Sequence, residues 1–172
     1  MRSITRRRFL AIGALSTAVL ATGGAFTLLR KRRGGGALSD NEDARRIVRA
    51  MAPVMLAGAL PASAASAAAL DEVVRDALAG MDGLLPHARD DLSRLFSLLA
   101  FPATRVLFAG LTRSWESASA DDIEDALAGW RDSRLALKRS AYDALHSLVL
   151  GAWYGSARAW AAVGYPGPPR VG

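Results

Sequence analysis

Past residue 38 the apolar residues of this chain recur every three or four positions, and no alternating stretch persists. Leu70, Val73, Val74, Ala77 and Leu78 stand at offsets 0, 3, 4, 7 and 8, which draws one stripe along a 3.6-residue helix. Alanine and leucine dominate and β-branched runs are few. The pattern predicts an all-α fold: a small bundle of about five helices with an extended Pro/Gly-rich C-terminal tail.

The helix boundaries follow from punctuation. Ser39-Asp40-Asn41-Glu42 has capping-box spacing and is expected to start a helix through Ile47 and Val48 toward Ala57. Pro53 is expected to kink or restart it, and Gly58 and Pro61 to close it. A second helix is expected over Ser66 to Ala79, ended by Gly80 and Gly83, with the low-complexity patch Ala62 to Ala69 leading into it. A third follows Pro86, with Leu92, Leu95, Phe96, Leu98 and Leu99 as its apolar face. Phe101-Pro102 interrupts it, and Thr104 to Leu111 resumes as a short helix. Ser119-Ala120-Asp121-Asp122 begins a fourth, with Ile123, Ala126, Leu127 and Trp130 inward. The last long helix runs from about Ser133 to Tyr154, its stripe Leu135, Tyr142, Leu145, Leu148, Val149 and Trp153. A short turn from Ala157 to Val163 carries Trp160. There is no internal repeat.

The N-terminal segment is of another kind. Thr5-Arg6-Arg7-Arg8-Phe9-Leu10-Ala11 precedes an apolar run ending at Leu29. Paired Arg6 and Arg7, then Phe9 and Leu10, make the pattern of a twin-arginine export signal, read by a translocase that carries folded proteins. The 21 residues from Phe9 to Leu29 span roughly 30 Å as a helix, about one hydrocarbon core. Gly23-Gly24-Ala25 offers a cleavage point after Ala25. Alternatively, Arg30-Lys31-Arg32-Arg33 caps an uncleaved anchor, with membrane contact through residues 9–29. The expected location is the periplasm, free or anchored in the inner membrane.

The leader also accounts for the basic charge. Up to Arg33 the chain has 8 basic and no acidic residues, out of 22 basic and 16 acidic overall. The remainder is 14 − 16 = −2. The body is nearly neutral, which argues against a nucleic-acid partner. The expected organisation is a signal or anchor over 1–33, a Gly-rich linker over 34–38 and a helical domain over 39–172. About 135 residues past the Gly34-Gly35-Gly36 tether suffice for one core and not for two.

Catalytic constellations are sparse. With no cysteine, disulfides, thiolate chemistry and cysteine metal sites are out. His87 and His146 are the only histidines, and neither has a His or Cys three or four residues away. Asp143 shares a helix face with His146, as a zinc pair, a base with its orienting group, or a surface hydrogen bond. Asp90-Asp91 and Asp121-Asp122 read as acidic residues at helix starts. No glycine-rich loop follows a strand and no Cys-x-x-Cys-His occurs. The expectation is a chain with no catalytic, cofactor or metal residues of its own; a small enzyme using Asp143 and His146 is the minor alternative.

Aromatic residues concentrate late. Trp115, Trp130, Tyr142, Trp153, Tyr154, Trp160 and Tyr165 include every tryptophan and tyrosine of the chain. Trp130 and Trp153 sit on apolar stripes and could anchor a core. Trp153 and Tyr154 cannot point the same way, because helical neighbours differ by about 100°. One of them must face a groove, a loop or another protein. Tyr165-Pro166-Gly167-Pro168-Pro169 is a rigid strip that loses little entropy on docking, over the bundle or onto a partner.

The leader, the Trp130-Arg131-x-Ser133 step, Tyr142-x-x-Leu145, the Trp153-Tyr154 pair, Trp160 and the Gly164-to-Pro169 end together resemble the small twin-arginine-exported companion subunit of glucose–methanol–choline type flavin oxidoreductases. The plan is similar to that of small subunits of membrane-bound sorbitol, gluconate and glucose dehydrogenases; the Pro-rich end departs from theirs. The resemblance implies a large FAD-binding subunit that oxidises an alcohol or sugar, in some complexes with a cytochrome subunit. It implies a small subunit without a redox centre that supplies the export signal and stabilises the large one. The expected partner surface is Trp130, Arg131, Tyr142, Trp153, Tyr154, Trp160, Tyr165 and Pro166. The alternative is a membrane-tethered helical protein with a structural or envelope-binding role and no enzyme partner.

Overall fold

Asn41, rather than Ser39, starts the first helix. In the computed structural model, which describes residues 37–60, 65–162, 164 and 166, the Asn41 side chain accepts hydrogen bonds from the Asp43 and Ala44 N–H groups. Ser39 instead lies in a single 3₁₀ turn, Leu38–Asp40. The reason lies 43 residues away: the Asp82 carboxylate accepts from the Leu38 N–H at 2.5 Å and the Ser39 N–H at 3.1 Å. Leu38 is buried in the core, so the folded unit reaches into the segment expected to be linker. The chain divides after Gly36, and the leader with Arg6, Arg7, Phe9 and Leu10 lies outside the described residues.

Seven α-helices and no strands occur among the described residues, so the all-α expectation holds with two more helices than the five counted from the sequence. Helix α1, Glu42–Met55, is central and packs against α2 (Ala65–Asp82), α3 (Pro86–Ala100), α5 (Ala120–Arg131) and α6 (Ala136–Tyr154). Its buried residues Ala44, Ile47, Val48, Met51 and Ala52 make an inward stripe with the helical offsets 0, 3, 4, 7 and 8. Each buried Ile, Val or Met side chain contributes about 1.5–3 kcal/mol. Pro53 does not restart the helix: it lies exposed within the last turn, and α1 continues to Met55 before Gly58 turns the chain at φ +79°. Glycine tolerates that left-handed backbone without a Cβ clash.

Helix α2 runs through Gly80 to Asp82 and ends before Gly83. Val73, Val74, Ala77, Leu78 and Met81 are buried. Pro102 ends α3 as expected: Phe101 is extended (φ −78°, ψ 126°) and Pro102 opens α4, Pro102–Ala109. The two helices bend by 102° at this elbow. Gly110, at φ +75°, closes α4 with its N–H on the Val106 carbonyl. Ser119 and Asp122 form a reciprocal capping box for α5, and its inner stripe is the expected Ile123, Ala126, Leu127 and Trp130. Helix α6 begins at Ala136, later than Ser133, and α7 spans Ala157–Ala162. Two stripe residues move outward: Leu135 is 62% exposed and Leu98 is 41% exposed. Ala141 takes an inward place on α6 instead.

Candidate functional site

The expected partner residues separate into core and surface. Trp130 is buried, its Nε1–H donates to the Phe108 carbonyl at 3.0 Å, and its ring meets Phe108 edge-on at 5.2 Å. Trp153 is also buried. Both rings are consumed by this chain's own packing and are withdrawn from the expected partner surface. Trp115 is a third core tryptophan, with Nε1–H donating to the Leu99 carbonyl at 2.9 Å.

Tyr154 points away from Trp153, as the 100° rule requires, and is 46% exposed. Half-buried Trp160 donates its Nε1–H to the Tyr154 carbonyl at 2.8 Å. Tyr154 and Trp160 therefore form an aromatic ledge where α6 turns into α7. The turn depends on Gly155: a Cβ there would stand 2.8 Å from the Gly151 carbonyl oxygen. Pro166 is exposed, and Tyr165 lies outside the described residues.

A second group lines the start of α6. Exposed Arg131 pairs with Asp132 at 3.2 Å. Its guanidinium pKa is raised, chiefly by that hydrogen bond and the Asp132 charge, with a smaller contribution from Tyr142. Half-buried Tyr142 stacks on His146, with ring centroids 5.2 Å apart. The candidate partner of His146 is thus a ring, and the described bonds include none between Asp143 and His146. Among the described residues no group of three or more His, Asp or Glu is placed to hold a metal. Asp122 is occupied as the α5 cap. Its pKa is lowered first by the Ser119 N–H, then by the Ser119 hydroxyl, with Arg113 nearby. Asp91 pairs with Arg94. An open cleft of about 220 Å³, lined by residues 109–113, Asp122, Asp125 and Ala126, is spanned by the Arg113–Asp122 pair at 3.9 Å.

Sequence reasoning missed one surface. Val106 and Leu107 on α4, and Leu135 and Leu137 at the start of α6, are all more than 40% exposed. The Lys138 ammonium sits 5.4 Å from the Phe108 ring centroid, which joins the end of α4 to the start of α6. The available signal was the run from Arg131 to Arg139, where leucines alternate with cations in a way no buried stripe does. Comparison with protein-family models, with curated proteins and with solved structures gives no match.

Proposed function

We propose that this chain is a non-catalytic small subunit and export escort of a periplasmic FAD-dependent alcohol or sugar dehydrogenase of the glucose–methanol–choline type. The observation that carries the reading is the Arg6-Arg7-x-Phe9-Leu10 leader on a chain whose described part is a cysteine-free helical bundle. A translocase for folded cargo suits a body that assembles its core without disulfides. Exposed Tyr154 on the aromatic ledge supports the docking half of the reading, because exposed large aromatics are common anchors of protein interfaces. Arg131, half-buried Tyr142 and Pro166 extend the accessible set. Binding the folded enzyme stabilises it by mass action, and one signal carries both chains across. FAD belongs to the large subunit, and a cytochrome subunit would accept its electrons in complexes that have one.

The test is purification of the tagged chain from membranes. A yellow flavoprotein in stoichiometric amount is expected. Replacing Arg6 and Arg7 by lysine should strand both proteins in the cytoplasm. If deleting this chain leaves the flavoprotein exported and fully active, the reading fails.

A further inference from the structure

The α4–α6 corner breaks several local rules at once. Helix α6 has leucine at its N-cap, no side-chain cap and no acidic residue in its first turn. Residues 133–142 instead hold Arg134, Lys138 and Arg139 and no carboxylate, although positive charge is unfavourable at a helix N-terminus. Leu135 and Leu137 project beside them, 62% and 66% exposed, and Leu107 of α4 is 74% exposed. Local rules broken together mark functional or strained sites.

The charges are distinctive as well. Eight arginines of the described residues stand within 4 Å of a carboxylate. Five described cations belong to no such pair: Arg89 and Arg105 donate to the Asp82 and Leu111 carbonyls, while Arg134, Lys138 and Arg139 cluster here, Lys138 over the Phe108 ring and Arg139 donating to the Ser133 carbonyl at 2.6 Å. Among the described residues these three cations therefore have no carboxylate within 4 Å where the leucines are exposed, with Asp132 and Asp143 flanking the segment.

We infer that this corner docks on an anionic lipid surface, with Leu107, Leu135 and Leu137 entering the headgroup boundary while Arg134, Lys138 and Arg139 face lipid phosphates. Residue chemistry favours lipid over protein. Protein interfaces concentrate Trp, Tyr and Arg and deplete Lys, and their hot spots seldom fall on Leu. Surface-lying membrane elements combine Leu and Phe with Lys and Arg. The aromatic ledge fits the protein pattern and this corner the lipid pattern. They occupy opposite ends of the 19-residue α6, about 27 Å apart along its axis, so both can be engaged together. The inference does not depend on which enzyme is escorted.

The absence of cysteine permits a direct test in the full chain. Leu107→Cys, Leu137→Cys and, as a control exposed on α2, Ala79→Cys each receive an environment-sensitive fluorophore. They are mixed with phosphatidylcholine vesicles with and without phosphatidylglycerol. The first two probes should shift to the blue and be quenched by lipid-borne quenchers on anionic vesicles only, and the control should not. Adding Arg134→Gln, Lys138→Gln and Arg139→Gln should weaken the response on the order of 100-fold, about fivefold per cation, with far-UV circular dichroism unchanged. Should that variant misfold, a salt titration of the Leu137→Cys chain serves instead, and its response should fade as salt rises. The inference is overturned if all three probes respond alike, as attachment through residues 9–29 alone would give, or if neutral vesicles suffice. It is equally overturned if the corner probes become shielded only by a copurifying protein without vesicles.

Discussion

Replacing Trp130 by phenylalanine separates a core role from a docking role. The indole N–H donates to the carbonyl of Phe108, which lies in the last turn of α4 where carbonyls lack a helical partner. Phenylalanine leaves that acceptor without the bond, at a cost of about 1–2 kcal/mol in a partly buried place. The smaller ring opens a void beneath Phe108, adding about 1 kcal/mol. The expected loss is therefore about 2–3 kcal/mol, or roughly 8–12 °C in Tm for a unit of this size. Urea unfolding followed by far-UV circular dichroism gives the first number, and the midpoint should fall with little change in slope. A variant within 0.5 kcal/mol of the parent, as surface substitutions usually are, that has lost its partner would refute the assignment of Trp130 to the core.

Tyr154→Ala should do the reverse, leaving stability within about 1 kcal/mol while weakening recovery of the partner in pull-downs; an unchanged recovery removes the ledge from the interface. Ser119→Ala takes one half of the α5 capping box and should lower stability by about 1 kcal/mol in urea unfolding. Asp82→Asn tests the clasp on Leu38 and Ser39. Partial burial alone would raise the Asp82 pKa, but hydrogen bonds from Ser39 and Leu38, with the Arg89 charge, hold it below the ordinary 3.8. The unfolded chain then binds more protons in the window between the two values, so stability rises with pH there. The clasp's contribution is complete above 3.8 and is lost as pH falls through the lowered value. The difference in urea midpoint between parent and Asp82→Asn should accordingly shrink in acid; a constant difference would refute the clasp.

Local signals carried much of the fold. The all-α class, the α5 cap and stripe, the break at Phe101-Pro102 and the divergence of Trp153 from Tyr154 were all legible, because each depends on residues within one or two turns of each other. The dipeptide Phe101-Pro102 needs no distant neighbour to bend the chain. Tertiary structure decided what depends on contacts far apart in sequence. Ser39 yields the cap to Asn41 because Asp82 captures the Leu38 and Ser39 N–H groups. Trp130, legible as part of the α5 stripe, is removed from the expected partner surface because α4 brings the Phe108 carbonyl to its indole across 22 positions. Leu135 has helical spacing yet faces outward, because it precedes the first turn of α6. Periodicity fixes which residues share a face, but burial depends on what that face meets, and only the packing of other helices supplies it.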